Sequence, residues 1–137
     1  MDVGRVAGDG SSVRAHVVSW LGRLFGGGVP TVGAAEARRL VDDGATMVDV
    51  RSTHEWNAGH APFARHVQLS ELADRMHRVP KGRPVVVVCR SGSRSRSACR
   101  SLAAAGYDVV NLRGGMAAWS RTGQPVVGRA GRPGSVV

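Results

Sequence analysis

The stretch most suited to covalent chemistry runs from Cys89 to Ser95 and reads CRSGSRS. Cys89 directly follows the apolar run at 85–88, so its thiol stands where a buried strand ends. The thiolate is the nucleophilic form of cysteine, and a free thiol has a pKa of about 8.5 unless nearby cations or a helix N-terminus lower it. Arg90 and Arg94 supply cations, and a helix that begins near Arg94 adds its positive end. The stretch therefore predicts a nucleophilic cysteine with a lowered pKa.

The same stretch is suited to binding an anion. Gly92 allows a tight backbone bend, and the small serines can donate further hydrogen bonds. A cysteine after a strand is most often a small core residue. Two arginines, one glycine and three serines in six residues continue a core poorly, however, and form an anion-binding turn well. We therefore predict Cys89 as the catalytic residue, with a substrate-binding loop of Arg90, Ser91, Gly92, Ser93, Arg94 and Ser95.

Helical and strand patterns alternate along the chain after Pro30. The predicted helices are 34–42, 53–58, 70–78, 94–105 and 115–121, and the predicted strands are 45–50, 64–69, 85–88 and 108–112. The run Val85–Val88 is continuous and β-branched, which is typical of a strand covered on both faces. Such alternation predicts an α/β fold with a mostly parallel sheet, and ligands bind beyond the carboxyl ends of its strands. Cys89 falls at such an end.

Three signatures in this order resemble those of the rhodanese family. They are Val48–Arg51 with Glu55-Trp56 and Gly59–Pro62, then the CRSGSRS loop, then Asn111–Met116 with Ala118-Trp119. The resemblance runs from about Thr31 to Pro125, which is most of the chain. Phe63 departs from it, because the family usually has a small residue at that position.

The resemblance implies a three-layer sandwich with a mostly parallel central sheet flanked by helices. It implies that Cys89 takes sulfane sulfur from an anionic donor such as thiosulfate and passes it, as a persulfide, to cyanide or a thiol. Arg94, with Arg90 as a second candidate, would meet the donor. Asp49 and Arg51 would support the loop or the site entrance from the end of a neighbouring strand, Asp49 in a structural more than a catalytic role. No metal or organic cofactor is implied.

Three functions other than sulfur transfer are less consistent with the sequence. A cysteine-loop phosphatase or arsenate reductase needs an arginine six positions after the cysteine, where this chain has Ser95. A rhodanese-like sulfur-carrier or binding module usually lacks the cysteine that is kept here. Nucleic-acid binding would suit the net charge of +9, but aromatic residues that could stack on bases make up only 4% of the chain. The net charge alone does not choose between an anionic partner and an arginine-rich surface.

The chain divides into an extension at 1–28, a rhodanese domain at 29–125 and a flexible, Gly- and Pro-rich tail at 126–137. The extension holds a predicted amphipathic helix at 11–25, which could dock on the domain, self-associate or lie on a membrane surface. Two cysteines make no disulfide framework, so we expect a cytoplasmic protein. Its partners would be a small anionic donor and a thiol, cyanide or protein acceptor, and no nucleic acid. The physiological donor, the acceptor and the oligomeric state stay open.

Overall fold

The computed structural model describes residues 28–137. The predicted helix at 11–25 lies outside the described residues. Within them, one sheet is built from β1 (Thr31–Val32), β2 (Thr46–Asp49), β3 (Arg65–His66), β4 (Val85–Val88) and β5 (Val109–Leu112). All its strands pair in parallel, in the order β1-β5-β4-β2-β3. The strand β4 is therefore central, and the cysteine that follows it emerges in the middle of the sheet's carboxyl edge.

The helices alternate with the strands. They are α1 (Ala34–Asp42), α2 (Thr53–Ala58), α3 (Leu72–Arg75), α4 (Ser93–Ala104) and α5 (Gly115–Arg121), with 3-10 turns at Leu69–Glu71, Met76–Arg78 and Arg129–Gly131. Ser52 and Glu55 form a capping box at the start of α2, each satisfying an amide that the short helix leaves free. Among the helices of the described part, none is long and apolar enough to cross a bilayer.

Two apolar clusters cover the two faces of the sheet. Val85 and Val87 point to a cluster that includes Cys99 and Leu102 of α4. Val86 and Val88 point to the opposite cluster, where α1 and α5 pack and Trp119 is fully buried. All four valines of β4 are 0% exposed, which explains why the strand is apolar on both faces. The predicted three-layer α/β sandwich is confirmed.

The predicted elements differ from the structure mainly near the sheet edges. The strand expected at 64–69 is only the two-residue β3, and the helix expected at 70–78 is a 3-10 turn, the four-residue α3 and a second 3-10 turn. The strand β1 was not predicted, because two residues carry no periodic signal. It pairs with β5 at the edge of the sheet, where a short strand suffices.

The last twelve residues lie against the domain along a defined path. Val127 pairs with His60 and with Pro133 in two antiparallel bridges, and the Ser135 amide donates to the Ala58 carbonyl at 2.9 Å. We had predicted a flexible tail at 126–137, and its flexibility stays a prediction. The contacts with α2 and the residues after it give this segment specific partners.

Candidate active site

Cys89 is placed at the junction of β4 and α4 by the central strand. The residue is 1% exposed, so its sulfur lies at the floor of the loop rather than on the surface. Gly92 has a φ of 116°, a left-handed conformation that favours glycine. It is the N-cap residue of α4. This turn lets the chain fold back over the sulfur within three residues.

Hydrogen-bond donors converge on the Cys89 sulfur. The Gly92 amide donates to Sγ at 3.0 Å, and the Ser95 hydroxyl lies 3.3 Å from it. Burial acts to raise the pKa of the Cys89 thiol, but hydrogen bonds from Ser95, Gly92 and Ser91 outweigh it and hold the pKa below its ordinary value of 9.0. The sulfur is thus buried and yet favoured as a thiolate, which is the state a nucleophile needs.

The amides face the sulfur because α5 holds the carbonyl groups of the loop. The Met116 amide donates to the Cys89 carbonyl at 2.7 Å, and the Ala117 amide donates to the Arg90 carbonyl at 3.0 Å. In a trans peptide the N–H points opposite to the C=O, so binding the carbonyls on one side turns the next amides to the other. A Cβ on Gly115 would overlap the Cys89 and Arg90 backbone, which is why this close approach requires glycine.

Ser95 links the cysteine to the neighbouring strand. Its hydroxyl lies 2.5 Å from Asn111 Oδ1 and 3.2 Å from the Gly92 carbonyl. Asn111 Nδ2 donates to the same Gly92 carbonyl at 3.2 Å, which fixes the orientation of the amide. The single hydroxyl proton of Ser95 therefore has three alternative acceptors, the Asn111 oxygen, the Gly92 carbonyl and the Cys89 sulfur.

The two arginines of the loop occupy different positions. The Arg94 guanidinium makes a bidentate pair with Glu55, with Nη1 to Oε1 at 2.7 Å and Nη2 to Oε2 at 2.8 Å. The Arg90 side chain is exposed, and its Nε donates to the Val137 backbone oxygen at 2.8 Å. Both guanidinium groups therefore have partners within the protein, Glu55 for Arg94 and Val137 for Arg90. That they bind the sulfur donor stays a prediction.

The remaining predicted residues of the loop divide by burial. Gly92 and Ser95 are buried against the sheet edge, whereas Ser91 and Ser93 have exposed side chains. The contributions of Ser91 and Gly92 to the sulfur come from their backbone amides. The loop therefore surrounds the sulfur mainly with main-chain donors.

Asp49 and Arg51 form an ion pair beneath the site, and both side chains are 0% exposed. Arg51 Nη2 donates to Asp49 Oδ2 at 2.7 Å and to the Gly59 carbonyl at 2.7 Å. Asp49 pairs with Val88 in the sheet, one residue before the cysteine. The pair thus connects β2 to the residue that follows α2, and neither side chain is exposed to solvent; its supporting role stays a prediction.

Sequence reasoning missed two residues that contact the loop. Glu55 belongs to a Ser-x-x-Glu capping pattern, which hides its second partner, Arg94, 39 positions away. Asn111 is the one polar residue of β5 and is 1% exposed. An asparagine in an otherwise apolar buried strand was the signal that could have revealed it.

Cys99 lies in the core, as predicted. It is 0% exposed on the inner side of α4, next to Ala98 and Leu102 in the apolar cluster. Burial, with a smaller contribution from Cys89, raises the pKa of the Cys99 thiol to about 12. Its sulfur is therefore neutral at physiological pH and poorly suited to nucleophilic attack.

The chain is similar in sequence and in fold to several known proteins. The rhodanese-like domain family matches residues 33–122. A sulfurtransferase from Allochromatium vinosum is 42% identical over 97 residues, which cover 69% of this chain and 91% of that protein. A putative sulfurtransferase from Bacillus subtilis is 34% identical over 84 residues, covering 61% of this chain and 82% of that one. The crystal structure of a rhodanese-related protein from Thermoplasma volcanium has a TM-score of 0.67 at 28% identity, covering 71% of this chain and 96% of its own.

Proposed function

The chain belongs to the rhodanese-like domain family, and from that premise we propose that it is a sulfurtransferase that carries sulfane sulfur on Cys89 as a persulfide. The observation that carries this proposal is the hydrogen bond from the Gly92 amide to Cys89 Sγ at 3.0 Å. It belongs to a turn of backbone donors at the carboxyl edge of the central strand, where α/β proteins bind their ligands. These donors stabilise negative charge on sulfur, both on the thiolate and on the outer sulfur of a persulfide.

The first step transfers sulfur from the donor to the protein. The Cys89 thiolate attacks the outer sulfur of an anionic donor such as thiosulfate, and a sulfur–sulfur bond forms. The bond between the outer and the central sulfur of the donor breaks, and sulfite leaves with its electron pair. No proton needs to be moved when Cys89 attacks as the thiolate, the form that the hydrogen bonds of the loop favour by lowering the pKa of the thiol.

The second step returns the enzyme to its starting state. An acceptor nucleophile, cyanide or a thiolate, attacks the outer sulfur of the persulfide, and Cys89 leaves as a thiolate. The same donors that lower the pKa of the Cys89 thiol stabilise it as a leaving group. Two half-reactions that share one covalent intermediate predict ping-pong kinetics. A small-molecule thiol and a protein thiol are both candidate acceptors.

The burial of Cys89 favours a slim reacting group. Cys89 as a residue is 1% exposed, and we infer that a terminal sulfur atom reaches it more readily than a tetrahedral phosphate does. This supports sulfur transfer over phosphate or arsenate chemistry, for which position 95 would also need an arginine in place of serine. Two free cysteines that must stay reduced suit a reducing compartment, and we propose the cytoplasm.

The test is intact-mass analysis after incubation with thiosulfate. We expect one added sulfur atom on the wild-type protein and on the Cys99→Ser variant, none on Cys89→Ser, and release of one equivalent of sulfite. Cys99→Ser is the matched control, since it removes the other thiol from the same helix-and-strand unit. An unmodified wild-type protein, with intact Cys89 and correct folding, would overturn the proposal.

Two further measurements separate the rival functions. Hydrolysis of an aryl phosphate by the wild-type protein, lost in Cys89→Ser, would indicate a cysteine-loop phosphatase. Persulfide formation without turnover to cyanide or any thiol would indicate a sulfur-carrier module. We expect no phosphate hydrolysis and measurable thiocyanate formation from thiosulfate and cyanide.

A further inference from the structure

A bidentate ion pair joins α2 to the cysteine loop. Glu55 uses one carboxylate oxygen for each terminal nitrogen of Arg94, at 2.7 and 2.8 Å. Arg94 is the second residue of α4, one residue before Ser95, whose hydroxyl lies 3.3 Å from the cysteine sulfur. Arg94 also interacts electrostatically with Cys89, so the charge of its guanidinium would act on an anion that approaches the sulfur.

Glu55 is fixed in this position by its own helix. Its Oε1 accepts hydrogen bonds from the Ser52 amide at 3.1 Å and from the Ser52 hydroxyl at 3.0 Å, while the Glu55 amide donates back to Ser52. The side chain is 15% exposed, against 39% for Arg94. The hydrogen bond with Arg94 is the main cause that lowers the pKa of Glu55 to about 2, so the carboxylate is charged throughout the physiological range. The carboxylate thus permanently compensates the arginine.

We propose that Glu55 is a specificity-determining residue of the cysteine site, which neutralises Arg94 and so favours sulfur donors of low charge over strongly anionic ones. The proposal builds on the sulfurtransferase function argued above. A paired guanidinium presents a dipole, whose field falls off faster with distance than that of a free cation. Glu55 takes one N–H of each terminal nitrogen of Arg94, which leaves three of its five N–H donors for an oxyanion and places a carboxylate charge next to them.

The electrostatic contact between Arg94 and the cysteine supports a role for Glu55 in setting the charge at the sulfur. Arg94 interacts electrostatically with the Cys89 sulfur, although the hydrogen bond with Glu55 is the larger cause that raises the pKa of Arg94. A change in the compensation of Arg94 must therefore reach the sulfur and whatever approaches it. The geometry provides the coupling through one side chain, without a movement of the backbone.

The variant Glu55→Gln separates charge from structure. Glutamine can serve in a capping box as glutamate does, so the start of α2 keeps its cap. It cannot neutralise Arg94, which then carries an uncompensated charge next to the loop. A purely structural role for Glu55 predicts lower reactivity of Cys89 in this variant, whereas the electrostatic role predicts faster reaction with anions.

The experiment compares an anionic with a neutral probe of the same size, iodoacetate and iodoacetamide, on Cys89 of the folded protein. We expect Glu55→Gln to raise the ratio of the iodoacetate to the iodoacetamide rate constant about three- to tenfold. The reverse change, Arg94→Gln, leaves Glu55 uncompensated and should lower the ratio below that of the wild type. A ratio that stays constant or falls in Glu55→Gln overturns the proposal.

Two controls make the result specific. Glu36→Gln breaks a comparable ion pair with Arg39 on α1 and should leave the ratio unchanged. In the double variant Glu55→Gln/Arg94→Gln the gain should disappear, because Glu55 acts through Arg94; a gain that persists contradicts that route.

Donor kinetics extend the same test to turnover. Glu55→Gln should lower the KM for the thiosulfate dianion about three- to tenfold more than the KM for an aromatic thiosulfonate monoanion. Equal changes in the two constants count against a role in donor selection. If the wild-type protein transfers no sulfur at all, the proposed function fails, while the alkylation ratio still decides whether Glu55 sets the charge of the site.

Discussion

The lowered pKa of the Cys89 thiol rests on hydrogen-bond donors more than on free charge. Arg94, which interacts electrostatically with the sulfur, is compensated by Glu55, and the buried Arg51 is compensated by Asp49. What remains directly on the sulfur are the Gly92 amide and the Ser95 hydroxyl. Hydrogen-bond donors fixed by the fold need no reorganisation when charge on the sulfur appears or leaves, which suits the proposed roles of Cys89 as a nucleophile in one step and a leaving group in the next.

Ser95→Ala should raise the pKa of Cys89. Burial already acts to raise this pKa, and the Ser95 side chain is the strongest of the contacts that lower it, so its loss leaves the thiolate less stable. At neutral pH the thiolate fraction falls, and alkylation by iodoacetamide should slow about two- to tenfold, as expected for one hydrogen bond. The midpoint of the pH–rate profile should move to higher pH, and the two proteins should converge at alkaline pH.

Ser101→Ala is the matched control for this change. Ser101 lies on the exposed side of the same helix, where its hydroxyl donates to the Ser97 carbonyl at 3.4 Å. Its removal should leave the pH–rate profile unchanged. A profile that does not move in Ser95→Ala would show that the backbone amides alone set the pKa of the sulfur.

Asp49→Asn should destabilise the whole domain. The substitution leaves the Arg51 cation fully buried without a counter-charge, and breaking such a pair from one side costs about 3–5 kcal/mol. Urea unfolding followed by circular dichroism should show a large fall in the midpoint. Glu36→Gln, in an exposed pair, should change the free energy of unfolding by less than about 1 kcal/mol. Equal free energies of unfolding for the two variants would mean that the buried pair does not stabilise the fold.

At the level of elements, the sheet interior was predictable and the connections near the site were less so. The four valines of β4 and the helices at 34–42, 53–58 and 115–121 have the predicted bounds, because burial on both faces and a full helical period leave clear patterns. The short β1 was not predicted and β3 was predicted too long, since pairing at a sheet edge depends on strands that are distant in sequence.

In the candidate site, the residues that are consecutive in sequence were predictable, and their partners from distant elements were not. The cysteine loop was recognisable because its residues are consecutive, from Cys89 to Ser95. The partners of the loop were not, because Glu55 and Asn111 reach it only once the order β5-β4-β2 brings their elements side by side. The sequence also offered no reason to expect that Arg94 and Arg90 would find protein partners.

Gly59→Ala should loosen the C-terminal segment. Gly59 has an extended φ of 179°, which any residue can adopt, but a Cβ there would overlap the Ser135 backbone. We expect the segment at 126–137 to lose its contacts with α2, so that hydrogen exchange of the Ser135 and Val127 amides accelerates at least about tenfold. Gly28→Ala, where a Cβ meets nothing within 4 Å, is the control. Exchange in Gly59→Ala that matches the wild type would mean that the tail is already free in solution.

On the scale of the whole molecule, charge is the dominant feature. The sequence has 19 Lys and Arg residues against 10 Asp and Glu residues, and Lys81 is its only lysine. A net positive field concentrates anions around the protein before any of them reaches the site. This long-range attraction acts on every anionic donor, whereas the Glu55–Arg94 pair acts only at the sulfur, so the two effects separate by their dependence on salt.

The overall charge therefore predicts that the reaction of Cys89 with thiosulfate weakens with ionic strength. Between about 0.01 and 1 M salt the screening length shrinks from about 30 to 3 Å, which removes attraction from all but the nearest groups. The value of kcat/KM for thiosulfate should fall several-fold across this range, while alkylation by uncharged iodoacetamide should stay constant. Glu55→Gln should keep part of its relative advantage for anions at high salt, because Arg94 is partly buried and partly buried charges are screened less than exposed ones. A thiosulfate rate that is independent of salt would show that the arginine-rich surface has no part in capturing the donor.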